Sequence, residues 1–300
     1  MTVFNPSFDE YAELFETTKN DLLCCFPSKR FFPKWIINPK LRRLLYKLIS
    51  LLARIIKKLD VWKKIARVVT VSDRNLFLLD DNPMAIDIFR KSMVIFVSGL
   101  QFRDITNIAK HEDKIRNYFK PAMKFEQAID ILIKSIRQNC DVLVGVHIRR
   151  GDYANHLGGK YWFELKDYIR IIDKLKALFP DKRVGFLISS NENLDRELFK
   201  GANCTFGTGH FLEDMYSLAR CDYIVGPPST YSLWASFHGN VPLCFLQKSD
   251  EPLALTNFVG YLSHFSGKTV NRDDNGDQYV LINGVRYGLV FPTEKTQLAL

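Results

Sequence analysis

The second half of the chain alternates short apolar runs with stretches of helical spacing, and this alternation restricts the fold more than any other feature of the sequence. Residues 142–148, Val-Leu-Val-Gly-Val-His-Ile, read as a strand buried on both faces. A helix is expected over 161–179, stopping at Pro180, then a strand over 183–188, a short helix over 191–199 and a strand over 203–206. A helix over 211–220, a strand over 222–225, a helix over 230–238 and a strand over 241–246 complete the series. Strands and helices taking turns at this spacing form βαβ units on a parallel sheet, so the expected class is α/β.

The first half is less regular. Residues 1–27 carry Asp9, Glu10, Glu13 and Glu16 in an expected helix that ends near Pro27, and Pro33 and Pro39 keep the next stretch irregular. From Lys40 to Val68 apolar residues recur at helical spacing, among them Leu44, Leu48, Leu52, Ile55, Leu59 and Trp62. Lysines and arginines fill most of the places between, which predicts a basic amphipathic helix, interrupted near Asp60. Helical pieces are expected over 83–92, 102–118 and 125–138, with a strand over 93–97. Turn residues at 273–277 and 283–284 point to a closing β segment.

Charge is unevenly placed. Residues 28–68 hold thirteen Lys or Arg and one acid, Asp60, whereas the whole chain nets only +9, so the remainder is slightly acidic. That pattern excludes a generally basic nucleic-acid binder and points to one local surface with its own partner. The longest uncharged run in the basic helix, 48–53, is far short of the roughly 20 residues that span a bilayer. An apolar fraction of 47% with 25% charged residues excludes a disordered or fibrous chain. The N-terminus is acidic and aromatic, unlike a signal peptide, and the six cysteines show no C-x-x-C pair. Reduced thiols and a cytoplasmic setting are the expectation. The basic helix either attaches peripherally to the inner membrane face or packs its apolar face on the N-terminal domain with its lysines solvated.

Two motifs carry chemistry. His147-Ile-Arg149-Arg150-Gly-Asp152-Tyr153 follows directly on the apolar strand. Carboxyl ends of strands in an open α/β sheet face the ligand crevice, and a guanidinium fork there matches a phosphate bidentately. Asp152 can pair with an arginine, orient it, or act as a base; the plain alternative is an Arg–Asp cluster that ties down a loop. The second motif runs from Cys221 through Gly226-Pro227-Pro228-Ser229-Thr230-Tyr231. A strand enters two stiff prolines, and hydroxyls then open a helix, which makes a phosphate site or an ordinary N-cap. Asp214 is a carboxylate able to accept two hydrogen bonds from a guanine edge, or a solvated helix acid. His156, beside Gly158 and Gly159, lines an acceptor pocket or sits on an exposed loop. The other histidines lack metal-ligand spacing, so no metal is expected.

Val-His147-Ile-Arg149-Arg150-Gly-Asp152-Tyr153 resembles the first signature of the α-1,2/α-1,6 and protein O-fucosyltransferase superfamily. With Lys160-Tyr161-Trp162 and the following helix, it most resembles the α-1,2-fucosyltransferases of glycosyltransferase family 11. Val97–Phe102 and Ile115–Phe119 upstream, and Asp214–Asp222 and Ser229–Ala235 downstream, are similar to further segments of that family, so the resemblance covers roughly 70–250.

The resemblance implies a GT-B-like α/β fold of two Rossmann-type domains, and an inverting transfer of fucose from GDP-fucose without metal or cofactor. It implies that Arg149 holds the β-phosphate with Ser229 and Thr230, that Asp214 reads the guanine, and that His147, Arg150, Asp152 and Tyr231 line the donor site. Asp152, His156 and Tyr153 are the candidates for base or acceptor contacts. The expected acceptor is a glycan or lipid-linked oligosaccharide, with O2 of a galactoside as the target. The alternatives are an α-1,6 or O-linked transferase, or a catalytically dead, membrane-associated GDP-sugar binder. The expected division is an acceptor-side domain over 1–140, a donor domain over 141–250 and an extension over 251–300. The Gly-rich G-G-L-G-N-Q-type opening segment of that family is not found in this sequence, so either the first domain is incomplete or this is a divergent member that has lost the loop.

Overall fold

The computed structural model describes residues 3–5, 7–27, 36–58, 66–70, 75–78, 90–91, 93–98, 102–103, 105–264, 271–272, 278–282 and 285–289. It divides into two units, Met1–Ala122 with Gly267–Leu300, and Met123–Ser266. The expected break near Asp60, most of the 83–92 helix and the turns at 273–277 and 283–284 lie outside the described residues.

The first unit opens with a short 3-10 helix, Phe8–Leu14, in place of the longer helix expected over 1–27. Its extension is stopped because Phe15 bridges Pro121: Glu16 N–H donates to Lys120 O at 2.9 Å and Ala122 N–H to Leu14 O at 2.8 Å. Helix α1, Pro39–Lys58, is the basic amphipathic helix. It docks on the preceding segment through Arg42 and Tyr46, both 2% exposed, with Leu41, Leu45 and Ile49 half-buried beside them, while Leu44, Leu48, Leu51 and Leu52 stay exposed. Arg42 donates to Glu13 Oε1 (2.7 Å), Lys19 O (3.0 Å) and Asp21 O (3.2 Å), and the Tyr46 hydroxyl donates to Leu23 O (2.8 Å).

The tail of the expected helix is instead strand β1, Ala66–Thr70. Val68, Val69 and Thr70 are β-branched and pair in parallel with Phe96, Val97 and Ser98, so strand preference and a partner override the helical spacing. The other elements here are β2 (Asn75–Leu78), β3 (Val94–Ser98), β4 (Phe102–Arg103), α2 (Ile105–Lys110) and α3 (Glu112–Tyr118). The helix expected over 102–118 is thus a strand followed by two short helices, parted at His111.

The second unit is the α/β body expected from the sequence. Helix α4 (Met123–Arg137) leads into β5 (Val142–Ile148), α5 (Leu165–Ala177), β6 (Val184–Ser190) and β7 (Cys204–Phe206). Helix α6 (Phe211–Leu218), β8 (Tyr223–Gly226), α7 (Thr230–Gly239) and β9 (Leu243–Phe245) follow. All five strands run parallel in the order β7-β6-β5-β8-β9. Strands β10 (Asn271–Arg272), β11 (Gln278–Ile282) and β12 (Val285–Leu289) return to the first unit, where β12 pairs in parallel with β2.

The continuous apolar run of β5 follows from burial on both faces. Val144, Val146 and Ile148 pack with Tyr168, Ile171, Ile172 and Leu175 of α5, while Leu143 joins Ile136, Leu218 and Ala235 from the helices opposite. Two expected helices shrink for local reasons. Helix α5 starts at Leu165, not Tyr161, because Glu164 and Asp167 cap one another's backbone, with Glu164 N–H donating to Asp167 at 2.9 Å. Tyr161 and Phe163 bury their rings before the helix begins. Over 191–199 only a 3-10 turn at Arg196–Phe199 forms, since Asn191 and Glu192 are taken up by the loop after β5.

Candidate active site

Strand order places the crevice. Counting from β5, the sheet runs 3-2-1-4-5, so the connections reverse direction between β5 and β8, and ligands of such sheets bind outside the carboxyl ends at that switch point. Both sequence motifs sit there: Arg149 and Arg150 leave β5, and Pro227-Pro228-Ser229 leave β8. The strands approach so closely that a Cβ at Gly226 would lie 2.5 Å from His147 O. The Tyr153 hydroxyl donates to Pro228 O at 2.5 Å, fastening the arginine turn to the loop that opens α7.

The two arginines are held differently. Arg149 Nη2 donates to Asp152 Oδ2 at 3.0 Å, and its Nε lies 2.9 Å from Oδ1, so Asp152 orients the guanidinium at a half-buried position. Arg150 lies over the Trp162 ring at 4.8 Å and pairs with Glu192 at 3.6 Å. Asn191 and Glu192 also accept from the Arg150 and Gly151 backbone N–H groups at 3.2 and 2.8 Å. The motifs do not single out Asn191 and Glu192, and Trp162 enters only through the family resemblance; a polar pair directly after the β6 strand is the available signal.

His147 is 2% exposed, and its Nδ1 finds no hydrogen-bond partner; its ring lies 5.0 Å from that of Tyr231. Burial, with the nearby Arg149 charge, pushes the imidazole down to about 3. The unfolded chain therefore binds this proton first as acid is added. Stability attributable to His147 is flat above an ordinary histidine value of about 6.5 and falls below it until about 3. Urea unfolding should show stability dropping by up to about 1.4 kcal/mol per pH unit in that window, with His147→Gln flattening the slope. An unchanged slope in the variant would remove His147 as the cause.

Ser229 is the N-cap of α7, its hydroxyl accepting from Tyr231 N–H at 3.2 Å, and Thr230 is exposed beside it. The first turn of any helix leaves N–H groups without intrahelical partners, and these favour an anion. Tyr231 donates to Phe211 O at 2.7 Å, and burial pushes its hydroxyl up.

Asp214 is 5% exposed and not solvated. It accepts from Thr208 N–H (2.7 Å), the Thr208 hydroxyl (3.3 Å) and Gly209 N–H (3.3 Å), while burial raises its carboxyl above the ordinary range. A Cβ at Gly207 would lie 2.3 Å from the Asp214 carboxylate, so any side chain there would displace Asp214. Asp222 instead clamps α4 to the sheet through Arg137 (2.5 and 2.9 Å) and Leu143 N–H (2.7 Å). His156 is exposed, 5.2 Å from the Tyr153 ring. Among the described residues, no group of three or more His, Cys, Asp or Glu is placed to hold a metal ion.

Comparison with solved structures finds similarity to NodZ α-1,6-fucosyltransferase soaked with GDP-fucose, at 22% identity and a TM-score of 0.38 over 55% of each chain. NodZ from Bradyrhizobium matches at 22% identity and a TM-score of 0.40, over 55% of this chain and 63% of that one. A mutant of Arabidopsis thaliana FUT1 in complex with GDP matches at 11% identity and a TM-score of 0.41, over 72% of this chain and 60% of that one. The chain spans about half the length of the first of these. No curated protein matches it. The profile of glycosyl transferase family 11 matches residues 66–247, well over half of the sequence and the whole of both motifs. The chain belongs to glycosyl transferase family 11.

Proposed function

We propose that the second unit binds GDP-fucose at the β5/β8 switch point and that the protein transfers fucose to a glycan hydroxyl, with O2 of a galactoside as the acceptor. The observation that carries this reading is the Tyr153–Pro228 hydrogen bond, which joins the arginine turn and the start of α7 around one crevice. A diphosphate there meets the Arg149 fork on one side and the Ser229–Thr230 helix start on the other. Arg150 Nε and His147 Nδ1, both buried with no hydrogen-bond partner, add polar atoms that a ligand can satisfy.

In the reaction the bond from fucose C1 to the β-phosphate oxygen breaks, and its electron pair stays on GDP. The acceptor oxygen attacks C1 from the opposite face, so the configuration inverts, and its proton passes to a base. Charge grows on the leaving phosphate, and a guanidinium already fixed by Asp152 stabilises that transition state more than the ground state. This chemistry draws its positive charge from Arg149 and calls for no metal. Asp152 is committed to Arg149 at 2.9 and 3.0 Å, which favours the exposed His156 as proton acceptor. Asp214 belongs to the guanine end. Three of its roughly four acceptor sites are used, so reading both guanine N–H groups requires release of one of the 3.3 Å bonds. A GT-B arrangement with this unit as its donor half completes the proposal.

Calorimetry tests it. GDP-fucose should bind the full chain, with GDP-mannose and UDP-galactose weaker by at least about tenfold. Absence of binding to any GDP-sugar would overturn the reading. Binding without turnover on galactosides would move the assignment to an α-1,6 or O-linked acceptor, or to a non-catalytic binder.

A further inference from the structure

Helix α1 presents two faces that the donor site does not use. Arg42 and Tyr46 are buried against the N-terminal segment. At 100° per residue, Leu44, Leu48, Leu51, Leu52 and Ile55 lie on the opposite side, and they are between 44% and 56% exposed. An interior helix would bury these leucines and leave arginine outside, so this orientation is the reverse of ordinary core packing. Five large apolar side chains in one stripe are not the scattered exposure expected of a surface at random.

The flank of that stripe is positive. Arg43, Lys47 and Arg54 are exposed along one side of it. Arg43 stands 4.0 Å from Asp9, while no ion pair of Lys47 or Arg54 occurs among the described residues. The three line a cavity of about 440 Å³ with Ser50, Asp9 and Glu10, room enough beside the stripe for a phosphate head group. No helix among the described residues is long and apolar enough to cross a membrane, so an apolar stripe with a basic flank has an in-plane orientation open to it.

We propose that α1 is a peripheral docking surface for an anionic bilayer, with Leu44, Leu48, Leu51, Leu52 and Ile55 among the acyl chains and Lys47 and Arg54 at the head groups. Charge complementarity selects this occupant: a second copy of this chain would bring the same basic flank against it, whereas anionic lipid neutralises it. The inference is independent of donor binding, which resides in the other unit.

The test is co-sedimentation of the full chain with vesicles of phosphatidylcholine alone, or with about one-third phosphatidylglycerol, at about 0.1 M and 0.5 M salt. The chain should pellet with the anionic vesicles at low salt and leave them at high salt. Lys47→Gln and Arg54→Gln should each lower partition roughly five-fold. Leu48→Gln with Leu52→Gln should lower it by at least about tenfold, with thermal unfolding unchanged because both positions are exposed. A chain that stays in solution with anionic vesicles at low salt overturns the proposal. So does leucine-variant binding equal to wild type, which would leave charge alone at work. A dimer in sedimentation velocity that the leucine variant dissociates would give the face to a second copy instead.

Discussion

Arg149→Ala should lower kcat/KM for transfer from GDP-fucose by about a thousand-fold, equivalent to about 4 kcal/mol of transition-state stabilisation. Arg149 leaves the central strand at the switch point, and Asp152 holds its fork, so under the proposed function the charge would need no reorganisation as the phosphate departs. The ion pair with Asp152 is partly exposed, and losing it should move stability by less than about 1 kcal/mol. Thermal unfolding therefore separates a lost function from a lost fold. Arg149→Lys keeps the charge without the planar fork and should recover only part of the rate. Activity within threefold of wild type in the alanine variant would show that the fork does not hold the leaving group, whatever else binds there.

Gly226→Ala should be the most damaging single methyl in the crevice. Its Cβ would meet His147 O at 2.5 Å and His147 Cβ at 3.0 Å, and the first of these is backbone of the neighbouring strand, which cannot rotate away. Relief requires β5 and β8 to part at their carboxyl ends, where Arg149 and Ser229 emerge. A loss of about 2 kcal/mol is expected, or roughly 5–10 °C in thermal midpoint for a unit of this size. Donor affinity should fall together with it, because the same displacement separates the two halves of the proposed phosphate site. A variant with wild-type midpoint and wild-type GDP-fucose affinity would mean that the strands tolerate the shift and that the crevice is not built on their close approach.

Much of the second unit was legible from local pattern. The run Val142–Ile148 is apolar on both pleats apart from His147 because helices cover both faces of its strand, and both-face burial leaves no alternation to misread. The pairing of Arg149 with Asp152 is also local, three residues apart within one turn. Errors arose where a tertiary partner competed with spacing. Residues 66–68 end the helical periodicity of the basic segment, yet 66–70 pair with Val94–Ser98, and the β-branched side chains favour that outcome. Residues 191–199 have helical composition, yet Asn191 and Glu192 satisfy the Arg150 and Gly151 backbone instead.

By itself the sequence determined the α/β class of the second unit, the residues at the ends of its strands and the chemistry those residues can offer, because periodicity and side-chain type are properties of neighbours along the chain. The tertiary structure alone decided which strand ends meet. The order β7-β6-β5-β8-β9 sets Arg149 beside Ser229, some eighty residues on, and turns Asp214 inward to the 207–209 loop. It also decided that α1 docks by Arg42 and Tyr46 and leaves Leu44, Leu48, Leu51 and Leu52 outside. Each of these rests on pairings between distant residues, whose free energy appears only once the chain has closed the intervening loops, and no local window of sequence contains it.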